Sequence, residues 1–168
     1  MTVANYVTFA RIAFIPLIIW FLAIGLNGLA AIAFLLLSSS DAIDGYIARK
    51  FNQISEVGKF LDPLADKILV ISVLIMLVSE GLADPLPIII LTAREFMVQG
   101  IRIQAANSGK IIAASLVAKF KTVVQIVATA MLILQLPAAK SLLWLAVITS
   151  LISGGAYLWQ SKILKSLK

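Results

Sequence analysis

Apolar residues along this chain come in long runs, and the polar residues that interrupt them gather at the same ends of successive runs. Six runs stand out, roughly Thr8–Leu26, Leu29–Ala48, Gly58–Ser79, Leu86–Ala106, Ala114–Leu136 and Leu142–Gln160. Each is close to the ~20 residues that carry a helix across a bilayer. The connections hold the expected breakers: Gly25 and Gly28, Gly81 with Pro85 and Pro87, Gly109, and Pro137. The pattern predicts an all-α polytopic membrane protein with six transmembrane helices, forming a single domain over residues 1–168. No leader-peptide cleavage pattern is visible near Met1, so the first apolar run is expected to remain as an anchor.

Polar positions set the orientation. Arg11, Arg49, Lys50, Lys59, Lys67, Arg94, Arg102, Lys110, Lys119, Lys121, Lys162, Lys165 and Lys168 fall in, or toward, one set of ends, whereas Lys140 shares the other with Glu80 and Asp84. Under the positive-inside rule both termini face the cytoplasm, which places the chain in the cytoplasmic membrane as a multi-pass protein. The second run turns polar at its end, with Ser38, Ser39, Ser40, Asp41, Asp44 and Arg49. The third begins polar, with Asp62, Asp66 and Lys67. Arg94, Glu95, Gln99 and Arg102 occupy the middle and inner half of the fourth, and Ser115, Lys119, Lys121, Thr122 and Gln125 open the fifth. Charges persist in a bilayer where they face a shared interior or a water-filled cavity. The expected working site is therefore a polar chamber open to the cytoplasm.

Composition narrows the chemistry. Hydrophobic residues make up 61% of the 168 and charged residues 13%, against about 25% charged in soluble domains. Neither cysteine nor histidine is present, which removes disulfides, thiolate chemistry and the commonest general base. Acid–base or metal work must fall to Asp, Glu, Lys, Tyr or bound water. The net charge of +6 lies where membrane orientation and phosphate binding would use it, so nucleic acid is not expected as a partner.

The densest chemistry lies between Asp41 and Asp66, which reads D-A-I-D-G-Y-I-A-R, eight residues, then G-K-F-L-D-P-L-A-D. Asp41 and Asp44 stand three apart and Asp62 and Asp66 four apart, so on helices each pair shares a face. An antiparallel helix pair joined around Phe51–Val57 would set the pairs opposite one another. Carboxylates so close do not all stay ionised uncompensated. A divalent ion, raised pKa values, or the neighbouring Arg49 and Lys67 are the available compensations. All-oxygen ligation suits Mg2+ or Mn2+, and a pair of such ions suits phosphoryl chemistry. Gly45, Ala48 and Gly58 are small enough for a backbone and a flat ligand to approach, although helix–helix packing uses the same residues.

The string Asp41-x2-Asp44-Gly45-x2-Ala48-Arg49-x8-Gly58-x3-Asp62-x3-Asp66 resembles the signature of the CDP-alcohol phosphatidyltransferases, with all eight identities in place. The resemblance implies a six-helix membrane enzyme, a homodimer, that uses divalent metal to move a phosphatidyl group from a CDP-linked lipid to an alcohol and releases CMP. Asn5, Thr8 and Arg11, the Asp62–Lys67 segment, Ala93–Phe96, and Ala114-Ser115 with Lys119–Thr122 are similar to the members whose acceptor is glycerol 3-phosphate. Ala118 stands where a glycine is expected before Lys-x-Lys-Thr. The implied reaction joins CDP-diacylglycerol and glycerol 3-phosphate into phosphatidylglycerophosphate. Inositol phosphate, phosphatidylglycerol and serine are the alternative acceptors within the family, and the several basic residues argue against serine. A divalent-cation transporter is the alternative of another class. The outer halves of the third and fourth runs lack the acidic ladder it would need.

By the same resemblance Asp41, Asp44 and Asp62 are metal ligands, with two ions of Mg2+ or Mn2+ expected, and Asp66 is the general base and a further ligand. Gly45, Ala48 and Gly58 lie against the cytidine and ribose, with Arg49 near the diphosphate. Arg94, Arg102, Lys119 and Lys121 are candidates for the acceptor's phosphate. Lys119 and Lys121 point to different faces, so one of them is open to a snorkelling role, and Arg94 is open to pairing with a carboxylate such as Glu95. Asn5, Thr8 and Arg11 read as a cap of the first helix that meets lipid headgroups or the donor's phosphates, with the interfacial anchor favoured, and Trp144, Tyr157 and Trp159 as interfacial belt residues.

Overall fold

The structure is a computed structural model that describes the backbone of residues 3–50, 56–107 and 116–160, and the side chains of residues 9–39, 64–105 and 117–157. Six helices follow in order: α1 Val3–Ala23, α2 Asn27–Lys50, α3 Glu56–Ser79, α4 Pro85–Asn107, α5 Leu116–Ile133 and α6 Ala139–Gln160. No strand occurs among the described residues. The all-α expectation holds, and each apolar run has its helix. Boundaries shift where backbone geometry overrides hydropathy: α1 ends at Ala23 and α5 at Ile133, although apolar residues continue to Leu26 and Leu136.

The cause is the way α1, α3 and α5 stop. Gly25 takes a φ of 75° and Gly81 one of 70°, values that a residue without Cβ adopts at no steric penalty. Gly25 N–H donates to Leu22 O while Leu26 N–H reaches Phe21 O; Gly81 and Leu82 repeat this on Val78 and Leu77. These are Schellman closures, in which a left-handed residue lets two N–H groups satisfy the last helical carbonyls. The end of α5 uses the same bonds, Gln135 N–H to Leu132 O and Leu136 N–H to Met131 O, but Gln135 sits there at φ 52° with a side chain.

Two compact units divide the chain, Met1–Ala83 with Thr129–Pro137, and Asp84–Ala128 with Ala138–Lys168. In the first, α1 packs on both α2 and α3. Buried residues recur at helical steps: Ile15, Ile18 and Leu22 on α1, Ala30, Phe34 and Ser38 on α2, Leu69, Val73 and Leu77 on α3. In the second, α4 packs on α6. The α6 face is built from small residues, with Ala146, Ser150, Ser153 and Gly154 all buried. Small side chains let helix backbones approach closely.

Large apolar side chains point outward on every helix, among them Trp20, Leu36, Ile75, Ile89, Val123 and Ile152. Arg11, Arg94, Glu95, Lys121 and Gln125 are buried. Among the described residues one helix, Ala139–Tyr157, is long and apolar enough to cross a membrane, accompanied by shorter apolar stretches at Phe9–Ala23 and Asn27–Ser39. Charges within α3, α4 and α5 (Asp66 and Lys67; Arg94, Glu95 and Arg102; Lys119 and Lys121) interrupt their apolar lengths.

A left-handed conformation at a residue bearing Cβ costs about 1–2 kcal/mol. Gln135→Gly should therefore raise stability by roughly 1 kcal/mol after the added freedom of the unfolded glycine is subtracted. Thermal unfolding in detergent reads this as a higher Tm, and an unchanged or lower Tm would contradict it.

Candidate active site

The carboxylate motif lies on two helices of the first unit. Asp41 and Asp44 fall in the last turns of α2, with Gly45, Ala48 and Arg49; Gly58, Asp62 and Asp66 fall in the first turns of α3. The side chains of Asp41, Asp44, Gly45, Ala48, Arg49, Gly58 and Asp62 lie outside the described residues. Their register is nevertheless informative. On α2 the buried stripe Ala30, Phe34, Ser38 continues by steps of three and four residues to Asp41, Gly45 and Ala48. On α3 the stripe Leu77, Val73, Leu69 runs back by the same steps to Asp66 and Asp62. Asp66 is half-buried, as is Lys67 beside it. Of the four acids, Asp66 is the one whose side chain is described, one step of three residues before the buried Leu69.

The second unit holds a buried charge relay. Arg94 on α4 donates from Nε to Ser150 O at 2.9 Å, from Nη2 to Ser153 Oγ, and from Nη1 to Glu95 Oε1 at 3.1 Å. Lys121 on α5 donates from Nζ to the same Glu95 Oε1. Side chains of Arg94, Glu95 and Lys121 are exposed by only 8%, 6% and 5%, so these pairs are desolvated and feel little screening. Arg94 and Lys121 thus share the Glu95 carboxylate in one cluster. Gly154 makes room for it, since a Cβ there would lie 3.1 Å from Arg94 Nε and 3.4 Å from its Cγ.

Arg102, two turns further along α4, is half-buried, with its guanidinium carbon 5.6 Å from the centre of the Tyr157 ring. That is a cation–π distance. Lys119 is exposed and Lys121 buried, so α5 does send its two lysines to different faces. Of the basic candidates, Arg94 and Lys121 converge on Glu95, Arg102 stands over Tyr157, and Lys119 faces outward. At the other end of α4, Asp84 and Lys140 form an exposed pair at 3.6 Å.

Sequence reasoning underrated Arg11 and Tyr157. Both were expected at the membrane interface, yet their exposures are 2% and 4%. A signal was available: Arg11 precedes Ile15, Ile18 and Leu22 on the buried stripe of α1, and Tyr157 follows Leu143, Ala146, Ser150 and Ser153 on that of α6. Position near a segment end outweighed register in the reading. Glu95 figured only as a possible partner of Arg94, because sequence cannot show which cations share a carboxylate.

A family described as CDP-alcohol phosphatidyltransferase matches residues 1–152. The chain belongs to that family. Among curated relatives, it is similar to the CDP-diacylglycerol–glycerol-3-phosphate 3-phosphatidyltransferase of Bacillus subtilis (strain 168), at 39% identity over 91% of each chain. It is also similar to the proteins of that description from Rickettsia bellii, at 40% identity over 91% of each, and Pseudomonas fluorescens, at 32% over 95% of this chain and 86% of the relative. Members of the family are membrane-associated and generally use divalent metal ions. The motif's donor set fits such an ion: carboxylate oxygens alone, from residues on α2 and α3, with no sulfur or imidazole to favour a softer metal.

Because Arg94 is held by acceptors on α6, it has little freedom to yield to a side chain at position 154. Gly154→Leu should displace the guanidinium, lowering Tm and cutting activity by about tenfold or more, in line with overpacking penalties of roughly 1–3 kcal/mol. Gly155→Leu, whose Cβ would meet nothing within 4 Å, should be tolerated. Equal damage from both, by Tm and product formation, would count against Gly154 as the seat of Arg94.

Proposed function

We propose that this chain transfers the phosphatidyl group of CDP-diacylglycerol to sn-glycerol 3-phosphate, giving phosphatidylglycerophosphate and CMP. What carries the reading is the complete eight-residue motif across the end of α2 and the start of α3, in a chain whose relatives bear that name over nine-tenths of their length. The outward apolar side chains on every helix support six membrane spans, and the lysine and arginine distribution supports cytoplasmic termini and a site open to the cytoplasm. In this reading residues 1–168 work as one catalytic domain in the cytoplasmic membrane, as a homodimer.

Asp41, Asp44, Asp62 and Asp66 would hold Mg2+ or Mn2+, two ions in the fullest arrangement. When bound, such ions supply positive charge to the diphosphate and to the departing CMP. Gly45, Ala48 and Gly58 leave space for the cytidine and ribose, and Arg49 sits in sequence where it can meet the diphosphate. Asp66 takes the proton of the acceptor hydroxyl, the hydroxyl oxygen bonds to the phosphatidyl phosphorus, and the bond from that phosphorus to the CMP oxygen breaks. Neither Cys nor His is available for a covalent relay, so direct displacement is the simpler route. Lys121 and Arg102 receive the acceptor's phosphate. Arg94 joins them mainly by holding Glu95 and α6, and Lys119 serves at the rim, where it is exposed.

The deciding assay uses detergent-solubilised protein with CDP-diacylglycerol, labelled glycerol 3-phosphate and Mg2+ or Mn2+. Phosphatidylglycerophosphate and CMP should appear in equal amounts and cease on chelation by EDTA. CMP release with inositol phosphate or another alcohol, but not with glycerol 3-phosphate, would reassign the acceptor; metal flux into liposomes without CDP-lipid would replace the reading by transport. Asp66→Asn should reduce turnover by about a hundredfold or more, in keeping with general-base contributions, while donor binding survives. Near-normal turnover would remove Asp66 as base. Arg102→Ala should raise the acceptor KM about tenfold, as expected for a lost charge-assisted contact, with the donor KM little changed. Equal effects on both substrates would count against a phosphate role.

A further inference from the structure

Tyr157 has no part in the carboxylate motif and is not among the cations assigned to the acceptor, yet its ring is what meets Arg102. The guanidinium carbon lies 5.6 Å from the ring centre, within the ~6 Å over which an aromatic face attracts a cation. Arg102 is half-buried on α4, and Tyr157 is 4% exposed on α6. Partial withdrawal from water strengthens such an attraction. We infer that Tyr157 is a positioning residue for the acceptor's phosphate: its ring face holds the Arg102 guanidinium in place while leaving the positive charge for the phosphate to meet. This inference rests on the proposed transfer to glycerol 3-phosphate.

The contrast with Arg94 is what makes the role specific. Both arginines stand on α4, eight residues and so about 12 Å apart along the axis, and α6 meets each in turn. Arg94 is met by hydrogen-bond acceptors, Ser150 O and Ser153 Oγ, and pairs with Glu95. Its nitrogens hold helices together. Tyr157 lies one turn beyond Ser153 on the same buried face of α6, and there an aromatic ring meets the guanidinium instead. A ring attracts a cation through its quadrupole, carries no net charge and occupies no N–H donor edge-on. A carboxylate in its place would pair with Arg102 and compete with an anionic substrate. Among the described residues Arg102 forms no ion pair. Restraint matters because a free arginine side chain loses rotamer freedom when it grips a ligand, and prior holding by the ring removes part of that loss.

Full-length enzyme in detergent tests the assignment, as Tyr157→Phe, Tyr157→Leu, Arg102→Ala and the double variant of the last two. For each, KM for glycerol 3-phosphate, KM for CDP-diacylglycerol and kcat are measured. Tyr157→Leu should raise the acceptor KM about fivefold, the size of a partly desolvated cation–π contact, leaving the donor KM and kcat within about twofold. Tyr157→Phe keeps the ring and should hold the acceptor KM within about twofold of wild type. If the ring acts through Arg102, adding Tyr157→Leu to Arg102→Ala should raise the acceptor KM no further. An equal rise with Phe and Leu, multiplied effects in the double variant, or a loss spread equally over kcat and both KM values would overturn the role. Should Tyr157→Leu fail to fold, a ring-fluorinated phenylalanine at position 157 decides, since fluorine weakens the ring's hold on a cation at nearly constant volume. It should raise the acceptor KM about threefold over Tyr157→Phe, and equal values would refute the role. Wild-type enzyme that makes no product from glycerol 3-phosphate overturns the functional reading and this inference together. A working enzyme whose acceptor KM responds to Arg102→Ala but not to loss of the ring overturns this inference alone.

Discussion

Two buried cations drawing on one carboxylate oxygen form the constraint around which the α4–α6 unit is arranged. Removing one partner from a buried ion pair is costly, about 3–5 kcal/mol, because the charge left behind has neither water nor a counter-ion. Arg94 and Lys121 both draw on Glu95 in this way. Their requirements reach into the packing of α6, where Ser150 and Ser153 supply acceptors and Gly154 supplies space. The small-residue face of α6 is thus more than a close-packing device. It seats a guanidinium.

The first unit solves a related problem by register. Apolar stripes on α2 and α3 lead by unbroken helical steps into Asp41 and Asp66, so the packing that orders the helices also fixes where their acids begin. Arg11 is buried in this unit on the stripe of α1, at the helix that packs on both of the others. Outward-facing Trp20, Leu36 and Ile75 complete a distribution with charge inside and large apolar groups outside. In water such a surface would drive association; in lipid it is the favourable arrangement, and it accords with a membrane-associated family.

Much of the fold was legible because its signals are local. Six apolar runs became six helices, and Gly25 and Gly81 end α1 and α3 where a left-handed residue was needed. Gln135 gave no such warning, so the apolar continuation to Leu136 misplaced the end of α5. The motif was legible for a different reason: its eight identities at fixed offsets, from Asp41 to Asp66, fall within one short stretch of a chain that matches the family. The basic cluster was half legible. Its residue types were evident, but the division of labour among Arg94, Arg102, Lys119 and Lys121 was not.

That division shows where sequence stops. Residue order by itself determined the helix count, the absence of thiol and imidazole chemistry, the carboxylate motif and the family, because composition and short-range spacing specify each of them. Tertiary structure alone decided that Lys121 is buried against Glu95 while Lys119 is exposed, that Arg94 is anchored on α6, and that Tyr157 lies beneath Arg102. Glu95 and Lys121 stand 26 residues apart, and Arg94 and Ser153 59 apart. No local pattern couples residues at such separations; the packing of helices brings them within reach, and burial then makes each charge depend on the partner it finds.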